Sequence, residues 1–219
     1  MKNTRDFSDS LTVIKKDKKL AAVIKKHGDL NLVDGTRNKK NIFHSLLRAI
    51  VYQQISGKAA ASILARVEAL FPKNKPTPEL LLDMSDHKLR DAGLSPQKIG
   101  YARDLALKCS DSTINEKLFP KMTSQEIIDH LVQVKGIGTW TAQMLLIFTL
   151  HRKDILPVGD LGVQKGFKIV YGLRTLPSEK RMEQIAKPWR SHATAASWYM
   201  WRVADAAKPI PKSKKTTMS

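Results

Sequence analysis

The chain has 219 residues, of which 42% are hydrophobic, and this is enough to form a sizeable core. Lysine and arginine number 38 against 20 aspartates and glutamates, so the formal net charge is +18. Such a surplus argues against a neutral partner and favours a polyanion, most commonly nucleic acid, although acidic proteins and membranes also attract it. The single cysteine, Cys109, excludes an intramolecular disulfide, a four-cysteine iron–sulfur cluster and a cysteine-based zinc site.

The sequence has no apolar run of about eighteen residues, the length of a membrane-spanning helix. Its first ten residues, MKNTRDFSDS, also lack the hydrophobic segment of a secretory signal. We therefore expect a soluble intracellular protein, cytoplasmic or associated with the nucleoid, or nuclear in a eukaryote.

Apolar residues recur at intervals of three and four along almost the whole chain, which predicts an all-α fold. A first helix is predicted over residues 10–26, and a capping box at Thr123 and Glu126 marks the start of a later one. Residues 140–150 are apolar on nearly all sides and are expected at the centre of the fold. The last residues, 209–219, are expected to be a disordered basic tail.

Two glycines, Gly136 and Gly138, lie in a short segment between two predicted helices. Glycine permits tight turns and the close approach of a ligand, and the N–H groups that open the next helix can donate to a phosphate. The bland alternative is a turn that merely joins two packed helices. The predicted DNA contacts of this segment are Lys135, Gly136, Ile137, Gly138 and Thr139.

The segment VKGIGT resembles the hairpin of the helix-hairpin-helix DNA glycosylase superfamily, in which proline usually occupies the position of Lys135. The resemblance implies phosphate binding without sequence readout. It also implies a monovalent cation, Na⁺ or K⁺, held by the backbone carbonyls of Val132, Val134 and Ile137. No other cofactor is expected.

An aspartate, Asp160, follows in the segment LPVGDLG, twenty residues after Trp140. Taken alone, Asp160 is a helix N-cap. In the superfamily, however, this spacing resembles the one that delivers the catalytic aspartate, so the resemblance implies that role for Asp160. Members that also cut the backbone carry a lysine nucleophile where this chain has Trp140, which implies base excision without lyase activity.

Aromatic side chains at helical spacing are mostly core residues, and we assign Trp201 to the core. The segment SWYMW resembles the C-terminal helix of the 3-methyladenine DNA glycosylase II type, whose matching tryptophan lines the base pocket. This chain departs from that type where it has Met144 and Leu161 in place of tyrosines. The predicted pocket residues are Trp140, Trp198, Tyr199, Met144 and Leu161.

Two further patches resemble the same family. In the Gln-Gln turn at Gln53 and Gln54, the second glutamine, Gln54, and the nearby Ser56 are expected to approach the minor groove. The loop of Leu94, Gln97 and Lys98 is expected to supply the wedge that fills the vacated stack, as Leu94 or Gln97. Two adjacent glutamines are also an ordinary surface feature.

The resemblance covers residues 40–207 and implies a two-lobed helical fold of the compact form. It places a bundle with the hairpin at residues 38–150 and a second lobe at 1–37 with 151–208. The expected function is monofunctional excision of alkylated purines from duplex DNA, by a monomer that needs no protein partner and no membrane. The open alternatives are a catalytically silent DNA-binding protein, a glycosylase for uracil or mismatched thymine, and a helical scaffold for protein partners.

Overall fold

The computed structural model describes residues 7–32 and 42–207, and within these ranges the secondary structure is helical, without strands. The all-α prediction is confirmed. The predicted tail, residues 209–219, lies outside the described residues. The helices are α1 (Ser8–Ile14), α2 (Lys18–His27), α3 (Ile42–Tyr52), α4 (Gly57–Ala69), α5 (Pro78–Asp83), α6 (Asp86–Asp91), α7 (Pro96–Ser110), α8 (Ser124–Leu131), α9 (Thr139–Phe148), α10 (Leu161–Tyr171), α11 (Glu179–Ala186) and α12 (Ala193–Ala206).

Short polar side chains determine where many of these helices begin, because they accept hydrogen bonds from N–H groups that lack an intrahelical partner. The capping box predicted at Thr123 is present: the Thr123 hydroxyl accepts from the Glu126 N–H, and the Glu126 carboxylate accepts from the Thr123 N–H. Side-chain caps of this kind are formed by Asp17, Ser56, Thr77, Ser95, Thr123, Asp160 and Ser178.

The single helix predicted over residues 10–26 is wrong. The structure has two helices there, α1 and α2. The helix is interrupted between them, where the Asp17 carboxylate caps α2 by accepting from the N–H groups of Lys19 and Leu20. An aspartate within a helical pattern can end one helix by starting the next. The apolar periodicity runs through the break and therefore hides it.

The chain folds as two compact units. One unit takes both ends of the chain, up to Asn31 and from Lys153 onward, and the other takes Leu32–Arg152. The bounds predicted for the lobes, with a boundary near residue 38, stay a prediction because residues 33–41 lie outside the described residues. None of the helices in the described ranges is long and apolar enough to cross a membrane.

Helix α3 is the centre of the unit formed by Leu32–Arg152. It packs against α4, α7 and α9, and the side chains of six of its eleven residues are buried. The ammonium group of Lys98, on α7, donates to the carbonyls of Val51 and Gln53 at 2.7 and 2.8 Å. These bonds satisfy carbonyl groups at the C-terminal end of α3, which have no partner within the helix.

Helix α12 is the centre of the unit formed by both chain ends. Ten of its fourteen residues are buried, and it packs against α1, α2 and α10. The contact with α10 depends on Gly166, since a Cβ atom there would lie 2.4 Å from the Met200 carbonyl oxygen and 2.5 Å from its Cβ. Only glycine allows the two backbones to approach so closely.

Replacing Gly166 with alanine should therefore separate α10 from α12. We expect the free energy of unfolding to fall by about 1–3 kcal/mol, the usual cost of overpacking, in urea denaturation. Gly100 lies inside α7 with open space around it, so Gly100→Ala is the matched control and should stabilise the protein by about 0.5–1 kcal/mol. Equal effects of the two substitutions would contradict the close contact.

Candidate active site and nucleic-acid interface

The hairpin predicted from the sequence lies between α8 and α9. Its turn is closed by the Ile137 N–H, which donates to the Val134 carbonyl at 3.0 Å, and Gly136 adopts a φ of +80°. Helix α9 begins after Gly138, and no side chain caps its N-terminus. The segment thus presents a backbone-lined helix start, the geometry that suits an anion.

Two side chains hold Gly136 in place. The Gln53 side-chain amide donates to the Gly136 carbonyl at 2.7 Å, and the Tyr101 ring lies so close that a Cβ on Gly136 would be 2.3 Å from it. The positive φ and the ring both require glycine at this position. The sequence does not predict that Gln53 and Tyr101 contact the hairpin, because nothing local links them to a segment more than thirty residues away.

Asp104 anchors the other side of the hairpin. One of its carboxylate oxygens accepts from the Lys135 N–H at 2.8 Å and from the Lys108 ammonium at 2.6 Å, and Lys108 also donates to the Gln133 carbonyl. Burial by itself raises the pKa of Asp104, but these hydrogen bonds and the two lysine charges outweigh it, so the pKa lies below its usual value. A carboxylate thus fixes the backbone, while the Lys135 side chain stays exposed.

The hairpin, the Gln-Gln turn and the start of α7 meet at one cavity of about 510 Å³ within the Leu32–Arg152 unit. Five of the predicted functional residues therefore come together although they are far apart in sequence. The lining residues are Tyr52, Gln53, Gln54, Gln97, Lys98, Tyr101, Gly136, Trp140 and Thr141. The Trp140 side chain is 54% exposed and offers an aromatic face at this surface.

Three of the predicted DNA contacts have structural roles within the fold. Leu94 is only 3% exposed, so the prediction that it forms the wedge is wrong; its side chain belongs to the core. The Lys98 ammonium donates to two carbonyls at the end of α3, and burial lowers the pKa of Lys98. Ser56 is the N-cap of α4, where its hydroxyl accepts from the Ala59 N–H.

The remaining wedge candidate, Gln97, donates its amide to the Tyr101 hydroxyl at 2.7 Å. A better candidate is Ile55, to which the sequence assigned no role. It follows Gln54, whose φ of +58° is unusual for a residue other than glycine, and its side chain is 38% exposed. A large apolar side chain on a strained exposed turn is the kind that proteins insert between base pairs.

Asp160 is the N-cap of α10 and is half-buried. Its Oδ1 atom accepts from the Val163 N–H at 2.9 Å and from the Trp201 indole N–H at 2.8 Å. The prediction that Trp201 is only a core residue is therefore wrong. Gly162 makes the second bond possible, since a Cβ there would lie 2.8 Å from the Trp201 ring and 3.0 Å from Asp160 Oδ1.

The other residues predicted for the pocket differ in what they expose. Leu161, next to Asp160, is 52% exposed. Trp198 is largely buried, with its ring edge-on to Tyr199 and the Arg202 guanidinium over its face. Tyr199 is fully buried and its hydroxyl donates to the Gly28 carbonyl at 2.9 Å, so the prediction that it lines the pocket is wrong.

Met144 lines a separate hollow of about 100 Å³ on the inner part of α9. It shares this hollow with Ser45, Arg48, Thr141 and Phe148, among others. The Arg48 guanidinium lies 4.1 Å from the centre of the Tyr52 ring. Because Thr141 lines both this hollow and the larger cavity, the two adjoin on the same unit.

The model of the HhH-GPD superfamily base excision DNA repair protein family matches residues 47–191. The chain belongs to this family. The matched residues include both the hairpin and Asp160.

Two similar relatives are yeast proteins. The chain is 35% identical to DNA-3-methyladenine glycosylase 1 of Schizosaccharomyces pombe over 184 residues, which cover 80% of this chain and 79% of that protein. It is also 35% identical to the DNA-3-methyladenine glycosylase of Saccharomyces cerevisiae over 175 residues, 76% of this chain and 58% of that protein.

Solved structures agree with this placement. The DNA-3-methyladenine glycosidase of Bacillus halodurans is similar with a TM-score of 0.82 and 35% identity, covering 91% of this chain and 90% of that one. The S. pombe 3-methyladenine DNA glycosylase Mag1, in complex with abasic DNA, is similar with a TM-score of 0.77 and 29% identity, covering 92% and 98%. The predicted family and two-lobed helical class of fold are confirmed.

Replacing Asp104 with asparagine tests how the hairpin is anchored. The folded-state pKa of Asp104 lies below the ordinary aspartate value of about 3.9. The charged carboxylate therefore stabilises the folded protein at pH values above about 3.9, and this stabilisation is lost as the pH falls through the lowered pKa. The difference in unfolding free energy between wild type and Asp104→Asn should therefore be largest near neutral pH and shrink below about pH 4.

Urea denaturation over a pH series measures this difference. Asp83→Asn, on an exposed part of α5, is the control for a general change of charge. A difference for Asp104→Asn that does not vary with pH would rule out the charged anchor.

Proposed function

We propose that this protein is a monofunctional DNA glycosylase that hydrolyses the N-glycosidic bond of alkylated purines, such as 3-methyladenine and 7-methylguanine, in duplex DNA. The observation that carries the proposal is the carboxylate of Asp160, half-buried and oriented by Trp201 in a chain whose relatives are named 3-methyladenine glycosylases. We expect it to act as a monomer.

The chemistry demands little beyond one oriented carboxylate. An N3- or N7-alkylated purine is already cationic, so it leaves without a proton from a general acid. Breaking the bond builds positive charge on the sugar, and a preoriented anion stabilises that charge and positions the attacking water. Val163 and Trp201 both donate to Oδ1, so they fix the orientation of the Asp160 carboxylate.

The absence of a lysine in α9 favours hydrolysis without strand cleavage. The helix reads TWTAQMLLIF, and its second position is Trp140. A lyase step needs an amine that forms a Schiff base with the sugar. Lys135, the nearest lysine before α9, lies in the hairpin, where its exposed side chain suits a phosphate contact.

The hairpin is the proposed grip on the DNA backbone. The N-terminus of α9 has no side-chain cap, and Gln53 and Tyr101 hold Gly136 in position. Backbone N–H groups bind phosphate without reading sequence, which suits an enzyme that must act wherever a lesion occurs. Exposed Thr139 and Lys135 flank this surface.

A monovalent cation at the hairpin is part of the proposal. The donors would be the carbonyls of Val132, Val134 and Ile137, which are neutral oxygens of the kind that suits Na⁺ or K⁺. Val134 already accepts one hydrogen bond, from Ile137, and a carbonyl oxygen has a second lone pair for a cation. Bound there, the cation would neutralise a phosphate.

The target base must leave the helical stack, which costs roughly a few kcal/mol. We propose that Ile55 fills the space left behind, because it is the exposed apolar residue on the strained turn beside Gln54. Trp140 offers the exposed aromatic face on which a cationic purine gains most. In the unit that holds Asp160, the neighbouring Leu161 is an exposed apolar side chain.

Replacing Asp160 with asparagine tests the mechanism. Asparagine keeps the shape and an N-cap acceptor, so the fold should persist, but the negative charge is lost. We expect the single-turnover rate of 3-methyladenine or 7-methylguanine release to fall by roughly 10²-fold or more, with DNA affinity retained. Free base and abasic sites are measured separately, and no strand break should appear before alkali treatment.

If neither wild type nor Asp160→Asn releases an alkylated base while both bind DNA in a salt-dependent way, Asp160 is only a cap and the chain is a catalytically silent binding protein. Release of uracil or mismatched thymine instead would assign a different specificity to the same carboxylate. A panel of damaged duplexes distinguishes these outcomes.

Replacing Trp201 with phenylalanine removes the indole N–H and keeps most of the ring packing. A hydrogen bond to a charged group contributes about 1.5–3 kcal/mol, so base release should slow by roughly ten- to a hundredfold without loss of DNA binding. In the Asp160→Asn background the same substitution should cost little more, since the charge that Trp201 orients is gone. Additive losses in the double variant would show that Trp201 acts separately from Asp160.

A further inference from the structure

A cluster of lysines follows α1 and continues along α2, and it includes none of the residues assigned to the candidate site. Six lysines occur between residues 15 and 26, where the one acidic residue is Asp17. All six are exposed, and they lie at the end of α1 and along α2. They are Lys15, Lys16, Lys18, Lys19, Lys25 and Lys26, and we call them the α2 lysine face.

The lysines of α2 share one side of the helix. Residues seven apart on an α-helix point in nearly the same direction, so Lys18 aligns with Lys25 and Lys19 aligns with Lys26. The buried residues Leu20 and Ile24 occupy the opposite side. Within each pair, the two lysines are about 10 Å apart along the helix axis, which is two turns.

The stability of α2 explains only part of this arrangement. Lys25 and Lys26 lie in the last turn, where a positive charge complements the helix macrodipole, but Lys18 and Lys19 in the first turn oppose it, and α2 has no acidic residue there. Neighbouring like charges also repel one another. The Asp17 carboxylate, which caps α2 and accepts from the Tyr171 hydroxyl at 2.8 Å, carries a single negative charge and cannot offset six lysines. Of the six, Lys19 has a clear structural role, since it donates to the Tyr171 carbonyl.

The α2 lysine face is distinct from the candidate catalytic carboxylate of the same unit. Tyr171, which Lys19 contacts, is the last residue of α10, while Asp160 precedes the first. The eleven residues of α10 span about 16 Å. A ligand of the lysine face therefore lies well away from the reacting base.

The chemistry of the face points to phosphates. Between residues 15 and 26 no large apolar side chain is exposed, whereas protein interfaces and membrane-bound helices present apolar residues beside the charged ones. We propose that Lys15, Lys16, Lys18, Lys25 and Lys26 bind the phosphates of duplex DNA outside the lesion, independently of sequence. Such contacts retain an enzyme on undamaged DNA while it searches.

Changing these five lysines to glutamine tests the proposal. Log affinity for undamaged duplex falls with log salt concentration by about 0.9 for each phosphate contact, so the slope should become shallower by about two or more. The matched control exchanges five exposed lysines elsewhere for glutamine, namely Lys75, Lys88, Lys117, Lys121 and Lys180. Both variants lose the same charge, and only the α2 variant should change the slope by this amount.

Duplex length identifies which phosphates are bound. If they belong to the duplex that carries the lesion, the difference between wild type and the α2 variant appears with a duplex of about 30 base pairs and vanishes with one of about 8, since a base pair adds about 3.4 Å. If they belong to a second duplex, the difference persists at both lengths and wild type alone binds two duplexes. Either result supports the proposal.

Equal salt slopes for the α2 variant and wild type would overturn the proposal, and so would equal changes of slope in the α2 variant and the control. Either result overturns it even if an acidic protein is found to bind the α2 lysine face. The inference rests on the proposed function only in taking DNA as the ligand. The single-turnover rate of base release at saturating enzyme should be unchanged in the α2 variant. If the wild-type protein releases no alkylated base, that result refutes the proposed function and not the α2 proposal.

Discussion

The close contact between α10 and α12 is the constraint on which the candidate catalytic carboxylate depends. Gly162 and Gly166 lie one turn apart on α10, and each leaves space for α12, at Trp201 and Met200 respectively. Side chains at these positions would push the helices apart and take the Trp201 indole away from Asp160. The glycines that allow dense packing thus also orient the carboxylate, so stability and chemistry depend on the same surface.

The hairpin is supported in a similar way by a neighbouring helix. One face of α7 carries Lys98, Tyr101, Asp104 and Lys108, and these residues hold the end of α3, Gly136 and the backbone of Lys135. The hairpin buries the apolar side chains of Val134 and Ile137, and these charged and polar groups hold its exposed backbone. A backbone that binds phosphate through its own N–H groups must be held from behind, and α7 supplies that rigidity.

Charge is used differently in different parts of the protein. Lys98 and Lys108 are engaged by carbonyls and a carboxylate, so their charges stabilise the fold locally. The α2 lysines lie on an exposed surface without comparable carboxylate partners among the described ion pairs. A formal net charge of +18 therefore says little about where a polyanion binds, because part of that charge is already used within the structure.

The sequence by itself determined the helical class, the capping box at Thr123, the hairpin and the position of Asp160, because periodicity, capping and glycine turns are local properties of the chain. Tertiary structure alone decided that Trp201 contacts Asp160, that Gln53 and Tyr101 hold Gly136, and that Leu94 and Tyr199 are buried. These facts depend on which side of a helix meets which neighbour. A tryptophan at helical spacing has the same local pattern whether its N–H faces a carboxylate or the core.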